Sequence, residues 1–279
     1  MSTMTIVGNI STGKSTMCKK LIELLPDAGI FIEDLEGQEH LIEAYYGDKR
    51  KWTPTMQFLM LDRKRMNMSD AMKSDKDLNI IERTMEDNAM IFAKKQYLDG
   101  FTSEKAWKQY LKHYEDLSKT VRKPDVYLYL KADPELLFKR KTERDRRGEE
   151  HITLEYLKEI NDLYDKWIDE VEERGESVYR FTVDHNLSDE EIVELIENAK
   201  KVRNRIFQEE YKILNILNKL LPSQFNEILF YSNISECDLP KYGTQRQQAV
   251  VLVGFYKQNN NLSGLLKILK KSVPHFFEV

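Results

Sequence analysis

Met4-Thr5-Ile6-Val7 runs directly into Gly8-Asn9-Ile10-Ser11-Thr12-Gly13-Lys14-Ser15-Thr16, and Met17, Leu21, Ile22, Leu24 and Leu25 follow at helical spacing. This is G-x-x-x-x-G-K-[ST] in the context it requires: a buried strand, a glycine-bearing turn, then a helix. Gly8 and Gly13 permit backbone angles that a side chain resists, so successive N–H groups can turn inward onto a phosphate. The positive end of the helix beginning at Lys14 adds to the same spot. The pattern places Lys14 at the β- and γ-phosphates and the Ser15 hydroxyl on Mg²⁺. It implies a bound nucleotide and leaves the phosphoryl acceptor open.

The remaining chain supplies the sheet that this motif needs. Ile30-Phe31-Ile32 ends in Glu33-Asp34, Leu78-Asn79-Ile80-Ile81 ends in Glu82-Arg83, and Val126–Leu130 and Val178–Val183 complete five strand candidates. Helical patterns alternate with them: His40 to Tyr46, about Thr53 to Met72, a stretch carrying Met90, Ile91, Phe92 and Tyr97, Ser103 to Val121, one opened by Asp133-Pro134, Thr153 to Glu173, and one capped by Ser188. Alternation of this kind predicts an α/β parallel sheet with right-handed crossovers. From about Arg205 the pattern changes to short amphipathic helices broken by Pro222-Ser223, Leu239–Gly243 and Asn259–Asn261. The expected division is therefore residues 1–203 as one domain and 205–279 as a small all-α domain.

Bulk properties exclude several classes. With 41% hydrophobic and 32% charged residues over 279 positions, the chain has a globular composition, and its net charge of −4 gives no overall attraction to nucleic acid or anionic membrane. Two distant cysteines, Cys18 and Cys237, lack metal-ligand spacing. The absence of a membrane-length apolar run and of a signal-peptide pattern leads to the expectation of a cytoplasmic protein, with neither nucleic acid nor membrane as partner.

Phosphoryl transfer to a hydroxyl needs a phosphate cradle, Mg²⁺, a base near the acceptor and cations where charge develops. Glu33 ends the strand beside the cradle and is the candidate base. Glu82 stands at the strand end where an acid supports Mg²⁺, and Arg83 is placed to hold Glu33 or the acceptor. The segment from Arg140 to Glu150 is arginine-dense and suits a lid whose cations meet the phosphates and whose closure keeps water out.

These residues resemble the deoxyribonucleoside kinase family, which includes deoxycytidine, deoxyguanosine and deoxyadenosine kinases. The resemblance covers about Met4 to Asn198: the opening loop, Glu33, then Tyr45-Tyr46 with Trp52 and Gln57, then Ile81-Glu82-Arg83-Thr84, then Arg140, Arg144, Arg146 and Glu149 before Leu154–Leu157. It implies a P-loop kinase with a five-stranded parallel sheet flanked by helices, using ATP and Mg²⁺ to phosphorylate the 5′-hydroxyl of a deoxyribonucleoside. It implies that residues Gly8 to Thr16 bind ATP, that Tyr46 meets the 3′-hydroxyl and Gln57 the base, that Glu82 supports Mg²⁺, and that Arg83 contacts the 5′-hydroxyl. The lid arginines Arg140, Arg144 and Arg146 join Glu33, Arg83 and Lys14 as catalytic candidates, with Glu149 at the substrate. A homodimer is also implied.

Two departures bear on specificity. Asn88-Ala89 stands where the family has Asp-Arg, with Asp87 just before, and the interval from Gln57 to Arg63 is one residue short, leaving Arg63 or Lys64 to reach the base. No base preference follows. Residues from about Ile206 to Ser272 resemble the effector-associated domains of bacterial conflict systems, which implies an adaptor that pairs with like modules in defence or signalling. The rival expectations are a nucleoside monophosphate kinase, and a conflict-system effector that senses or depletes nucleotides.

Overall fold

The computed structural model describes residues 2–33, 39–145, 149, 152–235, 238–240, 243–258 and 261–277. In chain order the elements are β1 (Ser2–Gly8), α1 (Lys14–Leu24), β2 (Gly29–Phe31), α2 (Glu39–Gly47), α3 (Lys49–Lys73) and β3 (Leu78–Glu82). There follow α4 (Met85–Asp87), a π-helix (Asn88–Ala93), α5 (Lys94–Leu98), α6 (Glu104–Ser118), β4 (Val126–Lys131), α7 (Pro134–Arg144), α8 (Leu154–Glu173) and β5 (Val178–Thr182). The chain ends in α9 (Asp189–Lys219), α10 (Pro222–Tyr231), α11 (Gln245–Gln258), α12 (Leu262–Ser272) and a short 3₁₀ turn (Pro274–Phe276).

The sheet has five parallel strands in the order β2-β3-β1-β4-β5, the expected α/β architecture. Because strand side chains alternate between faces, neighbouring apolar residues feed two different layers. Ile80 joins Met4, Ile6, Leu128 and Leu130 under Met17, Cys18 and Leu21 of α1 and Ile192 and Ile196 of α9. Its neighbour Ile81 packs with Leu61, Met68 and Ala71 of α3, and with Ala89, Ala93 and Tyr110. Tyr127 and Tyr129 of β4 meet Trp167 and Tyr164 of α8, with ring centroids 5.9 and 5.8 Å apart. β1 and β3 are central and parallel, so the loop after β1 and the Glu82-Arg83 pair after β3 emerge side by side, Ile6 being in register with Glu82.

Three local features refine the sequence expectations. α3 begins at Lys49 rather than near Thr53, because Asp48 accepts a hydrogen bond from the Lys51 amide and caps the helix ahead of Pro54. The stretch expected as one helix before Asp99 is interrupted by the π-helix at Asn88–Ala93. Such insertions turn side chains off the α-helical period and recur at functional sites. The change of pattern near Arg205 falls inside α9, which runs unbroken from Asp189 to Lys219.

The chain divides into two compact units, residues 1–169 with 178–199, and residues 170–177 with 200–279. The second has its own apolar core, including Ile213, Leu217, Phe225, Ile228, Leu252, Leu265 and Leu269. Among the described residues, no helix is long and apolar enough to cross a membrane.

Gly8 holds the junction of sheet and loop. Its φ is +151°, and a Cβ there would sit 2.3 Å from the Leu130 carbonyl oxygen of the adjacent strand. At Gly13, with φ +97°, a Cβ would meet no atom within 4 Å. Both substitutions incur backbone strain, and only the first adds a collision with backbone. Urea unfolding should show Gly8→Ala losing roughly 2–4 kcal/mol and Gly13→Ala about 1 kcal/mol. Equal losses would mean that the close approach to β4 does not matter.

Candidate active site

The loop after β1 is a cradle of amides. Positive φ at Gly8 (151°), Ser11 (64°) and Gly13 (97°) turns the backbone sharply three times, the kind of path on which anion-binding nests are built. Asn9, almost fully buried, fixes it: its side-chain amide donates to the Leu157 carbonyl (2.8 Å) and to Asn161 Oδ1 (2.7 Å), while its own Oδ1 accepts from the Ile10 amide (2.7 Å). Asn161 in turn donates to the Ala132 carbonyl at 2.9 Å, so α8 and the end of β4 brace the loop. Thr12 Oγ1 donates to the Asn9 carbonyl, Ile10 packs on the core, and Thr16 is exposed.

Lys14 lies buried in this cradle, its Nζ donating to the Asn9 carbonyl (2.6 Å) and Thr12 Oγ1 (3.2 Å). Burial, followed by the Arg83 charge, pushes its pKa well below that of a free lysine, and Glu82, Asp87 and Glu33 pull it back only in part. A phosphate placed here would restore the missing negative charge.

Two carboxylates converge beside it. The Ser15 hydroxyl donates to Glu82 Oε1 at 2.5 Å, and the Glu33 amide donates to Glu82 Oε2 at 3.3 Å. Glu33 is clasped by the Lys64 ammonium, 2.8 Å from Oε1, and by Arg83 Nε, 3.7 Å from Oε2. Burial acts to raise the Glu33 pKa, but Lys64 and then Arg83 outweigh it, so the net shift is downward and the carboxylate stays ionised. Lys64 is 1% exposed and owes its place to α3, which is anchored to the end of β2 by Asn67 Nδ2 donating to the Ile32 carbonyl (3.0 Å).

Arg83 follows β3 with φ 64°, unusual for a side-chain-bearing residue, and its amide donates to the Ile6 carbonyl at 3.0 Å. Its guanidinium donates to the Tyr164 hydroxyl (2.7 Å) and Asp87 Oδ2 (3.4 Å), and lies 4.4 Å over the Phe92 ring. Further along, Asn88 Nδ2 donates to Tyr110 Oη (2.9 Å) and, at 3.5 Å, to Gln57 Oε1. These three neutral polar side chains are buried near Phe58, whose ring lies edge-on to Tyr110, and Trp107, which stacks on it.

The structure thus brings Lys14, Ser15, Glu33, Glu82 and Arg83 together, with Gln57 and Asn88 paired nearby. Arg63 is half-buried on α3, next to the Lys64 that contacts Glu33. Arg140 donates to the His185 carbonyl (2.7 Å) and Asn186 Oδ1 (3.2 Å), and Arg144 to the buried Glu149 at 2.5 Å, so both lid candidates engage protein groups. The Tyr46 side chain and Arg146 lie outside the described residues.

Four participants were not singled out by the sequence. Lys64 was only an alternative to Arg63. Tyr110, Asn161 and Tyr164 sit on the apolar faces of α6 and α8. Asn161 carried a signal, since it interrupts the stripe of Leu157, Ile160, Tyr164, Trp167 and Ile168 with a buried amide.

Magnesium prefers hard oxygen ligands and keeps water and phosphate oxygens in its shell. The Ser15 hydroxyl and Glu82 carboxylate, converging at the mouth of the cradle, fit that demand. No group of three or more His, Cys, Asp or Glu side chains able to hold a metal occurs among the described residues.

Comparison with known proteins agrees with this geometry. The family model for deoxynucleoside kinase matches residues 4–214. A probable deoxycytidine kinase of Fowlpox virus (strain NVSL) is 30% identical over 172 residues, covering 60% of this chain and 72% of its own. A deoxyadenosine/deoxycytidine kinase of Bacillus subtilis (strain 168) is 28% identical over 171 residues, covering 60% and 76%. The solved deoxyadenosine kinase of M. mycoides, with dCMP and a flexible dCDP bound, superposes with a TM-score of 0.58 at 25% identity, covering 71% of this chain and 98% of that one. A phosphate cradle, a clasped carboxylate and a family match over three quarters of the chain lead to one conclusion: this chain belongs to the deoxynucleoside kinase family and is a phosphotransferase.

Proposed function

We propose that the protein transfers the γ-phosphoryl of ATP to the 5′-hydroxyl of a deoxyribonucleoside. The observation that carries this reading is Glu33, a carboxylate held ionised by Lys64 and Arg83 within the group that also includes Lys14 and the Ser15–Glu82 pair. Glu33 takes the proton of the acceptor hydroxyl, and Arg83 orients that hydroxyl. Lys14 and the amides of residues 8 to 16 hold the phosphates, and Arg140, Arg144 and Arg146 supply charge when the lid engages them. Ser15 and Glu82 would hold Mg²⁺, which when bound supplies charge stabilisation on the β- and γ-oxygens. Gln57 and Asn88, with Tyr110, meet the base and Glu149 the sugar, and the family resemblance assigns the 3′-hydroxyl to Tyr46. Their neutral pairing favours a nucleoside acceptor over a nucleoside monophosphate, whose phosphate would call for further fixed cations. The relatives named as deoxycytidine and deoxyadenosine kinases support a deoxynucleoside as the acceptor class.

A second role is proposed for residues 205–279, as a module for recruiting a partner with a like helical domain in bacterial defence or signalling. Its support is a core of its own together with Phe230, 79% exposed, beside Tyr231, over whose ring Lys271 lies 5.7 Å away. Residues 205–279 carry nine Lys and Arg against six Asp and Glu, a net +3 in a chain whose net charge is −4. This contrast suits an acidic partner. The family resemblance extends the reading to a cytoplasmic homodimer.

Labelled ATP offered with each of the four deoxynucleosides should yield a 5′-monophosphate from at least one, and with thymidine more readily than with its monophosphate. Glu33→Gln should lower the rate about 10²- to 10⁴-fold. Product from none of the four, with wild type and variant alike, would contradict the assignment. For the second role, the full-length chain should recover a protein bearing a helical module, and Phe230→Asp should not. Recovery of the same partner by both, or of no helical-module protein, would count against it.

A further inference from the structure

We propose that Tyr164 and Asp87 are positioning residues for the transfer, a hydroxyl and a carboxylate that fix the Arg83 guanidinium at the acceptor. The inference rests on the reading of Arg83 as the group that orients the 5′-hydroxyl.

Arg83 sits where an arginine is not held by default. Its φ of 64° carries a strain of order 1–3 kcal/mol, tolerated only where surrounding contacts over-determine the residue. The backbone is fixed by the amide bond to the Ile6 carbonyl. The side chain is buried and needs acceptors of its own, since a buried cation without partners is strongly disfavoured.

Its direct contact with Asp87 is long, at 3.4 Å, and the contact with Glu33 is longer, at 3.7 Å. The short contact is to Tyr164. The Tyr164 hydroxyl accepts from Arg83 Nη1 at 2.7 Å and donates to Asp87 Oδ2 at 3.0 Å. Tyr164 therefore relays the charge of Asp87 to Arg83. Asp87 cannot drift, because its other oxygen, Oδ1, accepts from the Thr84 amide (2.9 Å) while the Thr84 hydroxyl accepts from the Asp87 amide (3.1 Å). Phe92 of the π-helix closes the remaining side of the guanidinium.

An ordinary core role accounts for the Tyr164 ring but not for its hydroxyl. The ring stacks on Tyr129 at 5.8 Å and lies 6.2 Å from Phe92 and 6.0 Å from Trp167, contacts that phenylalanine would make equally well. A fully buried hydroxyl is disfavoured in such surroundings unless it is hydrogen-bonded, and here both bonds go to the charged pair. Without it, the carboxylate contacts described for Arg83 are the long one to Asp87 and the longer one to Glu33. Its guanidinium would then turn toward Glu33 and compete with the acceptor hydroxyl for the base.

The test compares full-length wild type, Tyr164→Phe, Arg83→Lys and the double variant, with kcat and KM measured separately for the preferred deoxynucleoside and for ATP, and melting temperatures recorded. Tyr164→Phe should lower kcat/KM for the nucleoside about 10- to 100-fold, the scale of a lost hydrogen bond to a charged group. KM for ATP should stay within about two-fold. In the Arg83→Lys background the same substitution should change the rate by no more than about two-fold, because its effect runs through Arg83. Asp87→Asn should lower the nucleoside kcat/KM in the same direction, which keeps the proposal testable should Tyr164→Phe not fold. Wild-type activity in Tyr164→Phe, or equal losses with and without Arg83, would overturn the positioning role. So would a fall matched by a rise in the KM for ATP and a lowered melting temperature. Absence of transfer by the wild type would overturn the reaction itself, and the positioning role with it.

Discussion

Six ionisable side chains at the carboxyl edge of one sheet cannot be sheltered from water unless their charges balance. Lys14, Lys64 and Arg83 face Glu33, Glu82 and Asp87, and all but Glu33 are less than one-tenth exposed. A lone charge in that position would be disfavoured by several kcal/mol, so each residue holds its place only because the others are there. The fold serves this constraint. β1 and β3 are central and in parallel register, bringing the phosphate loop beside Glu82 and Arg83, while α3 delivers Lys64 to the end of β2. The balance is nevertheless local and incomplete, because Lys14 remains depressed by burial and by the nearby Arg83. The triphosphate of ATP is the kind of ligand that completes it.

The same arrangement divides the labour of the site. Glu33 has a cation on each oxygen, which favours its charged form and keeps it a proton acceptor, though a weaker one than an unshifted carboxylate. Glu82 accepts from the Ser15 hydroxyl on one oxygen and from the Glu33 amide on the other. Arg83 is oriented from the far side by Tyr164 and Asp87 and so does not collapse onto Glu33. Beyond these charges come the neutral Asn88, Gln57 and Tyr110, joined by hydrogen bonds through the Asn88 amide.

What could be read from the sequence follows from how local the signals are. The phosphate loop, the acid at the end of β2 and the Glu82-Arg83 pair are each set by a strand end and a few neighbours, and a strand-then-turn pattern shows them directly. Lys64 could not be distinguished from Arg63 because both stand on a long helix with many charged residues, and only the packing of α3 decides which one turns inward. Asn161, Tyr164 and Tyr110 belong to helix faces whose spacing is that of a core, so periodicity assigns them to packing. The π-helix at Asn88–Ala93 has no composition of its own. It shifts Asn88 and Phe92 off the α-helical period, which spacing rules do not anticipate.

The central claim, that buried cations hold Glu33 as an ionised base, is tested most directly by the titration of its carboxyl carbon by NMR in the wild type and in Lys64→Met. In the wild type the midpoint should lie below the usual glutamate value of about 4.3. Removing the Lys64 ammonium leaves burial as the dominant influence, and the midpoint should rise above its wild-type position. A wild-type midpoint above the usual value, or one that does not move in the variant, would contradict the account.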